Sequence, residues 1–218
     1  IDAMIFDKDK VHVVRDPIID LKKIKEKRQS ELPDEHVWLK NKKFILTIGR
    51  LSKQKNFEFL IENFQKILKK KDNLNLVILG EGEDRENLEN IIKKKNLASN
   101  IFLLGHQKNI YPFMKNCLFF ILTSNWEDPG FVILEAMFSK KIVLSSDCES
   151  GPKEIIKDNK NGILFKNKDQ KEFLEKFFSV LRLINDDQYK KKITYKGLFT
   201  CKKFTQFSHF QQIKNFLI

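Results

Sequence analysis

Six short apolar runs, each followed by a longer stretch with helical spacing, constrain the fold of this chain more than any other feature. The runs lie near Phe44 to Ile48, Leu74 to Leu79, Ile101 to Leu103, Leu118 to Leu122, Ile142 to Leu144 and Ile163 to Phe165. Helices are expected near Phe57 to Lys70, Arg85 to Lys95, Ile110 to Asn116, Phe131 to Phe138, Lys153 to Lys157 and Asp169 to Ile184. Runs this short and this uniformly apolar suit parallel strands buried on both faces. Their alternation with helices demands crossover connections, and hence an α/β fold with a doubly wound parallel sheet. With 218 residues and 41% apolar content, there is material for one ordinary domain or two small ones.

Two of the connections carry chemistry. Gly49, Arg50, Leu51 and Lys55 follow the first run, where a guanidinium fork and an ammonium suit a diphosphate beyond the carboxyl end of a strand. Asn56 is placed to cap the next helix. The second connection, Glu127-Asp128-Pro129-Gly130-Phe131, sets two carboxylates, Glu127 and Glu135, eight positions apart across a turn. Gly130 and Phe131 read as a helix start whose free amides attract an anion. Glu135 is the only charge between Pro129 and Ser139, so it is expected to be largely buried with a polar partner. One helical turn after Phe131, it can reach a hydroxyl-bearing neighbour of that anion, a description that fits a nucleotide. Taken singly, Arg50 and Lys55 read as solvated charges and Glu127 as a loop carboxylate; together the two motifs favour ligand contact.

These stretches resemble the donor-binding domain of the family 4 retaining glycosyltransferases, whose GT-B fold comprises two Rossmann-like domains. Gly49-Arg50-Leu51 with Lys55, and Glu127, Gly130 and Glu135, stand at that family's spacings. Leu76-Val77-Ile78-Leu79-Gly80-Glu81-Gly82, Phe102-Leu103-Leu104-Gly105-His106, Gly151 to Ile156 and Asn161 to Phe165 are similar to its further segments, in the right order. The resemblance implies a sugar transfer with retained configuration, from a nucleoside diphosphate sugar (UDP or GDP) to an acceptor hydroxyl, with no metal and no cofactor. By it, Arg50 and Lys55 hold the diphosphate, Glu135 binds the ribose hydroxyls, and His106 lies near the base. Glu127 and the amides near Gly130 and Phe131 grip the donor sugar. Gly49 belongs to the same substrate-binding set, and Arg50, Lys55 and Glu127 are the catalytic residues. Where many members have Glu-Gly-Phe-Gly, this chain has Glu127-Asp128-Pro129-Gly130, so donor identity does not transfer.

The resemblance divides the chain into an interdomain linker and remnant of an acceptor domain (1–40), a Rossmann-like donor domain (41–185) and a basic, Phe-rich helical tail (186–218). The linker strand is Val11 to Ile18, and the acceptor half is expected to lie outside these residues. From Leu181 onward eight basic residues face two acidic ones, half of the net +12. Phe199, Phe204, Phe207, Phe210, Phe216 and Leu217 alternate with basic residues there, suited either to packing on the acceptor domain or to an anionic bilayer carrying a lipid-linked acceptor. No nucleic acid partner is expected. Other readings are a nucleotide-sugar epimerase or phosphorylase of the same fold, or a basic module for RNA or membrane.

Cys117, Cys148 and Cys201 show no metal or disulfide spacing, which suits a reducing cytoplasm. No apolar run is long enough to span a membrane, so the expected location is cytoplasmic or peripheral on the inner face of the cell membrane. Asp7-Lys8-Asp9 imitates a metal-binding Asp-x-Asp and reads as a solvated turn. His12, His36 and His209 have no constellation around them.

Overall fold

The computed structural model describes residues 14–217. Asp7-Lys8-Asp9, His12 and the first three residues of the expected linker strand (11–13) lie outside the described residues, and residues 14–18 form no regular strand. The strands are β1 (Lys43–Ile48), β2 (Leu74–Leu79), β3 (Ile101–Leu103), β4 (Phe120–Leu122), β5 (Val143–Asp147) and β6 (Ile163–Lys166). They form one sheet in the order β3-β2-β1-β4-β5-β6, and every neighbouring pair is parallel. The helices are α1 (Leu21–Gln29), α2 (Phe57–Leu68), α3 (Arg85–Lys94), α4 (Tyr111–Asn116), α5 (Val132–Phe138), α6 (Pro152–Ile155), α7 (Gln170–Leu183), α8 (Asp187–Cys201) and α9 (Gln206–Leu217). Short 3-10 turns occupy Asp34–Asn41 and Lys202–Phe204.

Successive strand residues point to opposite faces, and both faces are covered. Ile45, Leu76, Ile78, Ile121 and Leu144 meet α2, α3 and α7 through Leu60, Phe64, Leu88, Phe173 and Phe177. Phe44, Leu46, Val77, Phe120 and Val143 meet α1, α4 and α5 through Ile24, Phe113, Met114, Ile133 and Leu134. Burial on both sides is why the strands are mainly apolar, with Lys43, Thr47, Asn75, Ser145 and Ser146 the polar residues ahead of their last positions.

Residues 18–40, expected as part of the linker, contribute Ile19, Ile24, Leu32 and Leu39 to the second of these cores. Asp20 caps α1 by accepting from Lys23 N at 3.0 Å. Much of the tail is built into the same body. A Cβ on Gly197 of α8 would stand 3.2 Å from Met137 Cγ, Cys201 Sγ donates to Leu134 O, and Phe204 is buried. Ile19 N donates to Phe204 O at 2.9 Å, joining the start of the described chain to the tail. The cation-rich helices leave Phe199, Phe207 and Phe210 exposed.

From β1 the chain winds outward through β2 and β3, then returns to β4 beside β1 and winds the other way. The switch point therefore lies between β1 and β4, and open α/β sheets place their ligands beyond the carboxyl ends of the strands flanking such a point.

Candidate functional site at the switch point

The two connections singled out above leave the sheet at this switch point, and hydrogen bonds tie them together. Thr123 Oγ1 donates to Lys55 O at 3.1 Å, Asn125 N to Gln54 O at 2.7 Å, and Gln54 Nε2 to Trp126 O at 3.1 Å. Asn56 does not cap α2 with its side chain. It sits in the left-handed region at φ 51° and donates through Nδ2 to Asn125 Oδ1, so the residue expected to start a helix bridges the loops instead. The β1 and β2 exits also press together, because a Cβ on Gly80 would stand 1.9 Å from Gly49 O.

Lys55 and Glu127, 72 positions apart, meet directly: Lys55 Nζ lies 2.6 Å from Glu127 Oε1. Glu127 is 3% exposed and Lys55 14%, so this is a largely dry ion pair. Ser124 Oγ donates to the same carboxylate oxygen, and Ser150 Oγ donates to the Glu127 carbonyl. Arg50 behaves differently, lying exposed with Nε 3.0 Å from Glu83 Oε2 in a pair that solvent screens. Its guanidinium is available to a ligand, whereas the Lys55 ammonium is already engaged.

Glu135 is largely covered, as its apolar neighbours led one to expect, and only part of it reaches the surface. Ile133, Leu134, Ala136 and Met137 are buried on the other faces of α5, while Glu135 faces a cleft of about 340 Å³ shared with Lys23, Lys27, Lys108 and Tyr111. Burial pushes its carboxyl above the usual range, opposed by the Lys27 charge and by hydrogen bonding from Tyr111. Tyr111 and Lys27, which line the same cleft, are the polar groups that act on this carboxylate. A second cleft of about 410 Å³, lined by Gly49, Arg50, Gly80, Glu81, His106 and Gln107, shares Ile48 and Ile110 with the first. His106 is exposed at its edge. The two clefts adjoin and run from His106 to Glu135 over the ends of β1 and β2.

The expected helix start is also adjusted: α5 begins at Val132 and spans seven residues. The amides of Ile133 and Leu134 already donate to Gly130 O and Phe131 O, so only the amides ahead of them face a ligand. Gly130 has φ 80°, and a Cβ there would lie 3.3 Å from Glu127 Cγ. His209 Nδ1 lies 2.8 Å from Arg15 O and does not join the site, whereas His36 packs edge-on to Phe113 with its Nε2 3.3 Å from Nε2 of Gln107, which lines the second cleft. Among the described residues no cluster of His, Cys, Asp and Glu could hold a metal ion, and no helix is long and apolar enough to cross a membrane. A wider cleft of about 620 Å³ between α1 and the end of α5 lies away from Lys55 and Glu127.

Sequence reasoning missed Ser124, Ser150 and Tyr111. Ser124 and Ser150 bracket Glu127 from the ends of β4 and β5, and only the tertiary fold brings Ser150 there. Tyr111 had a legible signal, since a carboxylate expected to need a partner invites a search for nearby hydroxyls.

Comparison with known proteins places this arrangement. A family model described as glycosyl transferases group 1 matches residues 28–197. The N-acetylgalactosamine-N,N'-diacetylbacillosaminyl-diphospho-undecaprenol 4-alpha-N-acetylgalactosaminyltransferase of Campylobacter jejuni is 34% identical over 170 residues, 78% of this chain and 45% of that protein. The poly(ribitol-phosphate) alpha-N-acetylglucosaminyltransferase of Staphylococcus aureus is 32% identical over 145 residues, 66% of this chain and 29% of that protein. The chain thus spans less than half the length of these curated relatives. Among solved structures, a variant of S. aureus TarM in complex with Fondaparinux, alpha-GlcNAc-glycerol and UDP superposes with a TM-score of 0.72 at 29% identity, over 80% of this chain and 35% of that one. A glycosyltransferase from Rickettsia africae shares the fold at a TM-score of 0.77 and 18% identity, over 97% of this chain and 57% of that one. The sheet is the Rossmann-like unit of GT-B glycosyltransferases, and the chain belongs to the group 1 glycosyl transferase family.

Proposed function

We propose that this chain is the donor-binding half of a retaining, metal-independent hexosyltransferase that moves a sugar from a nucleoside diphosphate sugar to an acceptor hydroxyl. The observation that carries the reading is the meeting of Lys55 and Glu127 at the switch point, beside two adjoining clefts that lead to Glu135. A base fits the cleft edged by His106, and the ribose hydroxyls donate to Glu135. The diphosphate then reaches Arg50, the amides ahead of α5 and Lys55, with the transferred sugar over Glu127. Negative charge grows on the leaving phosphate as the glycosidic bond breaks, and fixed cations in a dry site stabilise that charge. The same phosphate takes the acceptor proton, so no general base is required from these residues.

UDP is the favoured nucleotide, because the TarM complex contains it at 29% identity; GDP is the alternative. The names of the Campylobacter and Staphylococcus relatives point to acceptors of bacterial surface glycan or glycolipid synthesis. In this reading the exposed aromatics of α8 and α9 serve the acceptor-binding domain, and the enzyme works in the cytoplasm at the inner face of the membrane. Calorimetric titration with UDP, GDP and ADP, with and without magnesium, tests the donor site. One diphosphate is expected to bind equally well in both conditions, and Glu135→Ala to abolish it. Absence of binding to all three counts against the reading.

A further inference from the structure

The surroundings of Glu127 are more specific than neutralising its charge requires. Both side-chain donors, Lys55 Nζ and Ser124 Oγ, converge on Oε1. Oε2 carries no hydrogen bond among the described residues and faces Gly130, 3.5 Å from where a Cβ would stand. A carboxylate has about four lone-pair positions, so two donors on one oxygen fix its plane and leave the other oxygen free to accept.

Ser124 is itself held. It is fully buried, and its carbonyl accepts from Ser146 Oγ at 2.7 Å, which ties the end of β4 to β5. Around the same carboxylate, Gly130, Ser150 and Gly151 all take left-handed backbone conformations, at φ 80°, 56° and 78°. For Ser150, a non-glycine, such a conformation persists where the surroundings over-determine it, and strained positions of this kind gather at ligand sites. Lys55 alone would satisfy the charge of Glu127; the second donor adds orientation.

We infer that Ser124 is a positioning residue for recognition of the transferred sugar, turning Glu127 so that Oε2 accepts from a hydroxyl or N–H of that sugar. This rests on the donor-site reading above. Ser124 touches no ligand. Its effect appears only when a sugar is present, since the nucleoside diphosphate reaches Arg50, Lys55 and Glu135 without Glu127.

Calorimetry on the chain, with UDP against UDP-glucose and UDP-N-acetylglucosamine, and GDP against GDP-mannose, separates the two contributions. Ser124→Ala should bind the diphosphate within about twofold of wild type, and the matching sugar nucleotide about tenfold more weakly, the size of one hydrogen bond to a charged group. Ser124→Cys leaves a larger and weakly donating group at this buried position, so it should show the same selective loss. Equal changes in both affinities, or none in either, overturn the role. If the wild-type chain binds neither diphosphates nor sugar nucleotides, the donor-site reading fails and this inference fails with it.

Discussion

The candidate site has two halves built on opposite principles. At the switch point, Lys55, Glu127 and Ser124 are dry, mutually bonded and fixed by backbone from three loops. Around the clefts, Arg50 and His106 are exposed, and Glu135 lines an open cleft with Tyr111 and Lys27. The first half is organised before any ligand arrives, whereas the second has groups free to move onto one. In the proposed reaction, the fixed half sits where bond breaking occurs and the adjustable half where the nucleotide is gripped.

The largest effect that follows belongs to Lys55→Met. Removing one partner of a buried pair leaves the Glu127 charge uncompensated, which costs about 3 kcal/mol. For a chain of this size the melting temperature should fall by roughly 8 °C. Turnover of the enzyme containing this chain should fall at least about a hundredfold, because the developing phosphate charge loses its fixed cation. Adding Glu127→Gln should restore much of the stability and none of the turnover. A Lys55→Met protein that melts like wild type would erase the distinction between the halves.

Arg50→Ala supplies the contrast. Its ion pair with Glu83 is exposed on both sides, so the melting temperature should stay unchanged. Turnover should still drop, on the order of a hundredfold, if the guanidinium moves from Glu83 to the diphosphate. Thermal melting and a rate assay on the two variants therefore give different patterns: both quantities fall for Lys55, and one falls for Arg50.

The sheet was almost fully legible, because strands buried on both faces announce themselves as continuous apolar runs. The expected start of β4 at Leu118 differs from its regular ladder at Phe120, yet Leu118 N already donates to Phe44 O at 2.8 Å. What stayed hidden lacks a stripe. Helix α1 buries only Ile24 among nine residues, and α8 buries Ile193, Thr194, Gly197 and Cys201, too few large apolar side chains to set a period. The unforeseen burial of Glu127 has a physical cause as well. Apolar sequence neighbours of Glu135 lie on the other faces of its helix, while Glu127, flanked by Trp126 and Asp128 in a loop, is enclosed by Lys55 and by Glu149, Ser150 and Gly151 from the loop after β5, all remote in sequence.

A smaller effect tests the adjustable half through pH. The Glu135 carboxyl is raised above its ordinary value chiefly by burial. Ribose hydroxyls donate to the ionised form, so diphosphate affinity should be flat at high pH and weaken by about tenfold per unit once the pH falls below that raised value. Stability has the opposite sign. The folded chain holds this proton more tightly than the unfolded chain, so the penalty for the buried charge is fully present above the raised pKa and vanishes as pH falls to the unfolded value. Glu135→Gln should therefore raise the melting temperature slightly at neutral pH, lose that gain in acid, and remove the pH dependence of binding. A group that weakens the fold in its ionised form while ligand binding depends on that form is expected of a binding site; were Glu135→Gln neutral or destabilising at pH 7, the carboxylate would instead be structural, held by Lys27 and Tyr111.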